Sequence, residues 1–153
     1  MQVPYELKPS PIAGTGVFAL APIPRGTLLW KYSSESVIEH DEESLRARLL
    51  PLSEAQQVEL CEHVYSWEGK VIEIIDDAKF WNHATTASGQ NTGNHPDEAA
   101  GEGDGVSSYA LRDIEVGEEL TDDYSTYDEL PWYELICREV GAQSCVSVGR
   151  AFQ

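Results

Sequence analysis

The sequence predicts a mainly β fold with a small helical insert. Three observations carry that expectation. Short β-prone runs, separated by Gly and Pro turns, fill the first third of the chain. Helical periodicity follows over about 41–68. The stretch Ala110-Leu-Arg-Asp-Ile-Glu-Val-Gly-Glu-Glu-Leu-Thr-Asp-Asp-Tyr124 then reads as the end of a strand, a turn closed by Gly117, and a short apolar step through Leu120 and Thr121.

Each element has a local reason. Tyr5-Glu-Leu-Lys8 opens as a strand, and Pro9-Ser-Pro11 breaks it. Gly14-Thr-Gly16 makes a tight turn into Val17-Phe-Ala-Leu-Ala21, and Thr27-Leu-Leu-Trp-Lys-Tyr32 is again apolar and β-prone. From Asp41, acidic residues precede Leu45, Leu49 and Leu50 at helical spacing until Pro51 interrupts. Ser53-Glu-Ala-Gln56 has the form of a capping box, with Val58, Cys61, Val64 and Tyr65 continuing a helix that Gly69 ends. Val71-Ile-Glu-Ile-Ile75 returns to strand. Residues 84–105 hold no large apolar side chain and read as a long loop. Leu130-Pro-Trp-Tyr-Glu-Leu-Ile136 is a short helix or an extended cover, before a weakly patterned tail.

A chain of 153 residues is most simply one domain, 1–153, with a core of about 5–128 and a C-terminal segment at 129–153. No apolar run approaches the ~20 residues that span a bilayer, and the N-terminus lacks a secretory pattern. A cytoplasmic or nuclear protein, not secreted and without membrane association, is expected. Cys61, Cys137 and Cys145 cannot form a disulfide framework, and their spacing lacks the close pairs of a structural zinc site, so no metal is expected. Acidic residues outnumber basic ones 27 to 10, a formal charge of -17. That balance argues against direct nucleic-acid binding. It either steers basic peptides toward the chain or serves solubility, including in a saline habitat.

Three blocks in order carry the functional information: Ile12-Ala-Gly-Thr-Gly-Val-Phe-Ala19, Lys79-Phe-Trp-Asn-His83, and the run ending at Tyr124. Together they resemble the SET domain of protein lysine methyltransferases. The resemblance implies a curved β-clip whose C-terminal segment forms a pseudoknot, and S-adenosylmethionine as cofactor. Gly14, Thr15 and Gly16 would bring backbone groups to the cofactor's methionine end, where missing side chains permit close approach. Asn82 would bond the cofactor through its side chain, and His83 would offer backbone groups to the adenine. Asn91 would bond within its loop, Glu119 would brace the loop, and Asp123 would help fix the pseudoknot. Tyr124 is the expected catalytic residue. A free tyrosine has a pKa of about 10, so its role is orientation and partial charge rather than general base. Tyr127, Trp132 and Tyr109 are the expected walls of a substrate channel.

The resemblance therefore implies transfer of a methyl group to lysine side chains in a basic, histone-like or ribosomal segment. Three departures leave an alternative open. Ala84 stands where the family usually has Ser, and Asp122 where many members have an aromatic or aliphatic residue that limits methyl number. The cysteine-rich, zinc-binding segment usual after the domain is also not recognisable, with only Cys137 and Cys145 there, so the resemblance is to a minimal SET domain. A catalytically silent SET-like module binding a basic peptide or protein partner would tolerate all of this.

Overall fold

The computed structural model describes residues 1–84, 86 and 89–151. Thr85, Ala87 and Ser88 of the expected loop, and Phe152 and Gln153 of the tail, lie outside the described residues. In chain order the elements are β1 (Tyr5–Pro9), β2 (Thr15–Ala19), β3 (Leu28–Trp30), β4 (Val37–His40), α1 (Glu42–Leu49) and α2 (Glu54–Glu62). There follow β5 (Val64–Trp67), β6 (Lys70–Ile74), β7 (Asn82–His83), β8 (Thr92–Gly93) and β9 (Ser108–Ala110). The chain finishes with β10 (Thr121–Asp122), α3 (Pro131–Val140) and α4 (Cys145–Ala151). Short strands outnumber helices, as the turn-rich sequence predicts.

The chain forms two compact units, one of Met1–Ser36 with Asp76–Asp123, the other of Val37–Ile75 with the chain from Tyr124 onward. In the first unit β1 and β2 pair antiparallel, with Tyr5 opposite Ala19. β3, β9 and β8 make a second antiparallel sheet in that order. The segment before β10 adds isolated bridges, Ile23 with Ile114 and Phe18 with Glu119. Val17, Ala19, Leu29, Ala110 and Leu120 are buried by these pairings. β7 and β10 pair in parallel, Asn82 beside Thr121 and His83 beside Asp122. β8 corrects the reading of 84–105 as loop throughout: Thr92 pairs with Ala110 and is buried, an arrangement set by its partner rather than by local hydrophobicity.

In the second unit β4, β6 and β5 form an antiparallel sheet in that order. Helix α1 starts where the Asp41 carboxylate accepts the Ser44 N–H at 2.8 Å. Helix α2 starts on the expected box, with the Ser53 N–H donating to Gln56 Oε1 at 3.0 Å and the Gln56 N–H to Ser53 Oγ at 3.4 Å. Leu45, Leu49, Cys61, Val64, Val71, Tyr133, Ile136 and Cys137 make one buried cluster. Each fully buried large side chain there contributes roughly 1.5–3 kcal/mol relative to exposure.

The expected course of α2 through Val64 and Tyr65 to Gly69 is corrected. Glu62 is the last helical residue, and Val64 and Ser66 alternate with half-buried Tyr65 and Trp67 along β5. Glu68 (φ 49°) and Gly69 (φ 78°) then form a two-residue hairpin turn into β6. Positive φ at both central residues is what such tight hairpins require. The Val-Tyr-Ser-Trp run fits a strand better than a fourth helical turn. The segment after Leu130 is a helix with Pro131 at its first turn and Gly141 (φ 81°) ending it, and the tail forms α4.

Candidate active site

In the first unit, the Gly14–Gly16 loop and Asn82 are held together by one side-chain amide. Asn82 Nδ2 donates to the carbonyls of Ala13 (3.1 Å) and Thr15 (3.2 Å) and to Glu119 Oε1 (2.8 Å). Two amide hydrogens are thus shared among three acceptors. Asn82 Oδ1 accepts no hydrogen bond from the described residues. The other Glu119 oxygen accepts from Ser10 Oγ at 2.9 Å, and the Ser10 N–H donates to the Gly14 carbonyl at 2.9 Å, closing the loop.

Both glycines have a physical reason. Gly14 has φ 47° and open space where a Cβ would stand, leaving its backbone accessible. Gly16 is required for a different reason: a Cβ there would lie 2.2 Å from Glu119 Oε1 and 3.0 Å from the Phe18 ring. Thr15 begins β2, and its carbonyl faces Asn82.

His83 is buried on β7, with Nδ1 4.0 Å from Asp123 Oδ1. The next residue, Ala84, is also buried, and its N–H donates to the Asp122 carbonyl at 2.8 Å. The Asp122 carboxylate is engaged within the first unit. Its Oδ1 accepts from Gln90 Nε2 at 3.3 Å and from the Asp123 N–H at 2.7 Å. Asn91 is buried and has the loop-bonding geometry expected of it. Its Nδ2 donates to the Glu119 carbonyl at 2.8 Å and to Glu118 Oε1 at 3.2 Å, while its Oδ1 accepts the Thr121 N–H at 2.9 Å. Burial pushes the Glu118 carboxyl up, but hydrogen bonds from Arg112, the Glu115 amide and Asn91 outweigh it and hold the group below the usual range.

In the second unit, Tyr124 opens a 3-10 turn, Tyr124–Thr126, and the Tyr127 N–H donates to the Tyr124 carbonyl at 3.3 Å. The Tyr127 ring neighbours two others, with centroids 6.0 Å from Tyr124 and 4.9 Å from Tyr65. Strand β5 pins the chain just beyond, where the Asp128 N–H donates to the Ser66 carbonyl at 3.1 Å and Ser66 Oγ donates to the Asp128 carbonyl. Trp132 stands on α3, edge-on to Tyr133 at 6.2 Å and against the buried cluster. Tyr109 belongs to the first unit, edge-on to His95 at 4.9 Å. Burial and the nearby Asp104 raise the Tyr109 phenol above its ordinary pKa. Among the expected channel residues, the structure thus brings Tyr127 to Tyr124 and adds Tyr65. Among the described residues, no group of three His, Cys, Asp or Glu is placed to hold a metal ion.

A sequence profile of the SET domain matches residues 14–125, well over half the chain, and the protein belongs to the SET-domain family. A crystal structure from Plasmodium falciparum, described as that of a candidate histone methyltransferase, is similar at a TM-score of 0.48 and 15% identity, over 79% of this chain and 92% of that one. No curated protein matches.

Proposed function

We propose that the protein is an S-adenosylmethionine-dependent methyltransferase acting on lysine side chains in basic segments of a protein substrate. The observation that carries this reading is the Asn82 clasp. Its amide donors are spent on Ala13, Thr15 and Glu119, and Oδ1, with no donor to it among the described residues, can accept from a ligand ammonium. The Glu119 carboxylate behind it favours the same charge. Open space at Gly14 gives a ligand room against the backbone. These acceptors fit the α-ammonium of the zwitterionic methionine end of S-adenosylmethionine, which Gly14, Thr15, Gly16 and Asn82 would hold, with His83 backbone groups toward the adenine. Bound there, the cofactor supplies a methyl group activated on a sulfonium.

Tyr124 would orient the amine lone pair of the lysine and place partial negative charge near the sulfonium. The amine must be neutral to react, and desolvation between aromatic walls, Tyr127 first among them, penalises the ammonium form. SET-family membership supports this chemistry. The Asp122 carboxylate is engaged by Gln90 Nε2 and the Asp123 N–H, which supports the active reading.

Calorimetry with S-adenosylmethionine, followed by transfer of labelled methyl to lysine-bearing basic peptides, tests the proposal. Saturable binding with transfer is expected, and Tyr124→Phe should lower kcat by about 10²-fold while leaving cofactor affinity nearly unchanged. Absence of binding at millimolar cofactor overturns the reading. Binding without transfer makes the protein a silent module.

A further inference from the structure

The tail of the sequence shows little pattern, yet α4 is firmly anchored within the second unit. Its buried face is Cys145, Val146 and Gly149, spaced as one side of a helix. Cys145 Sγ donates to the Val64 carbonyl of β5 at 2.9 Å. Before it, Ser144 Oγ donates to Glu134 Oε1 of α3 at 2.5 Å, and Ser147 Oγ donates to Glu134 Oε2 at 3.2 Å. Val146 is 1% exposed. Beyond Gly149, Arg150 pairs with Glu129 at 2.6 Å. The helix is therefore tied to β5, to α3 and to the segment after Tyr127.

Gly149 is where this anchored helix meets the Tyr124 turn. A Cβ on Gly149 would lie 2.5 Å from Ser125 N, 2.8 Å from the Tyr124 carbonyl carbon and 3.0 Å from Tyr124 Cβ. Two of these atoms are backbone and the third is the root of the tyrosine side chain, so none can swing aside as a long side chain could. Gly149 does not have the positive φ that would itself demand glycine. Helix propensity alone favours alanine at this position. What excludes alanine is the contact with Tyr124.

We propose that Gly149 is a positioning residue for Tyr124: it lets α4 lie flush on the Tyr124–Ser125 backbone and so fixes the direction of the Tyr124 side chain. This rests on the methyltransferase reading for its consequence in catalysis, though not for the structural coupling itself. A tyrosine that acts by orientation is sensitive to displacements of well under an ångström at its root. Misplacement of about 1 Å from a remote change can cost on the order of 10²-fold in rate.

The test uses the full chain with Gly149→Ala, alone and combined with Tyr124→Phe. Expected for the single variant is a kcat about 10-fold lower, with KM for the peptide and cofactor affinity nearly unchanged. In the Tyr124→Phe background the same substitution should cost almost nothing, because the hydroxyl it misdirects is already gone. An equal loss in both backgrounds, or no loss in either, overturns the proposal. Ring resonances of ¹³C-labelled tyrosine give a second readout that needs no activity. Gly149→Ala should shift Tyr124 and Tyr127 while leaving Tyr5 and Tyr109 in place, and an unmoved Tyr124 overturns the coupling even if the wild type transfers no methyl. Should Gly149→Ala fail to fold, Val146→Ala loosens α4 without crowding the turn. It should move the same Tyr124 resonances, and unmoved ones again overturn the proposal.

Discussion

Asn82 Nδ2 donates to Glu119 Oε1 at 2.8 Å, joining two residues 37 positions apart across the loop that contains Gly14 and Gly16. Glu119 is thus more than a turn residue. It fixes the Asn82 amide, takes a second hydrogen bond from Ser10, and occupies the space that a side chain at residue 16 would need.

Gly16→Ala should therefore act through Glu119. The new methyl displaces the carboxylate and breaks its bond to Asn82, lowering stability by about 1–3 kcal/mol. Glu119→Ala alone should weaken cofactor binding several-fold by releasing Asn82. Adding Gly16→Ala to it should cost much less than in the wild type. Urea denaturation of the four chains checks the non-additivity, and equal costs in both backgrounds would show that Glu119 is not the obstacle.

Asn91→Ala removes the acceptor of the Thr121 N–H and a donor to the Glu119 carbonyl, both deep in the first unit. Orphaning two backbone groups should cost about 2–4 kcal/mol. A loss under 1 kcal/mol in equilibrium unfolding would mean that water replaces the side chain.

Acid should weaken the second unit through Glu73. Burial is the largest single influence on this carboxyl and pushes its pKa up, but hydrogen bonds from Arg48 and His40 together hold it below the ordinary glutamate value. A carboxylate whose folded pKa is depressed stabilises fully above its unfolded pKa, and that contribution is lost as pH falls through the folded value. Glu73→Gln should be less stable than wild type at neutral pH by about 1.5–3 kcal/mol. The gap should narrow as pH drops below about 4.3. A gap that is constant with pH would refute the linkage.

Salt should separate substrate capture from chemistry. With a formal charge of -17, association with a basic peptide should weaken as ions screen exposed charges beyond about 8 Å. Raising salt from about 0.05 to about 0.5 M should increase KM several-fold and leave kcat nearly constant. Turnover indifferent to both salt and the charge of flanking substrate residues would point to acidity that serves solubility alone.

Much of the architecture was legible residue by residue. Pro9-Ser-Pro11 stops β1, Asp41 and Ser53 start the two helices, and Gly117 closes the turn before β10. These are local effects, in which a fixed φ, a missing side chain or a nearby carboxylate acts within a few residues. Of the candidate residues, Gly14-Thr-Gly16 and Asn82, which the first unit brings together, were legible as short motifs. The helix drawn through Val64 and Tyr65 failed because an apolar residue every three or four positions over so short a run also fits an alternating strand, and β6 decided between them.

The sequence by itself determined the family, the strand-rich character and the identity of the polar groups available for chemistry. Tertiary structure decided how those groups are engaged. Whether Asn82 offers a donor or an acceptor depends on Ala13, Thr15 and Glu119, which lie far from it in the chain. Gly149 has meaning only against Tyr124, 25 residues earlier, where two backbones approach too closely for a methyl group. The physical reason is one of range. Propensities and caps are set by neighbours in the chain, whereas the partner of a side-chain amide and the room beside a Cα are set by segments that folding alone brings together.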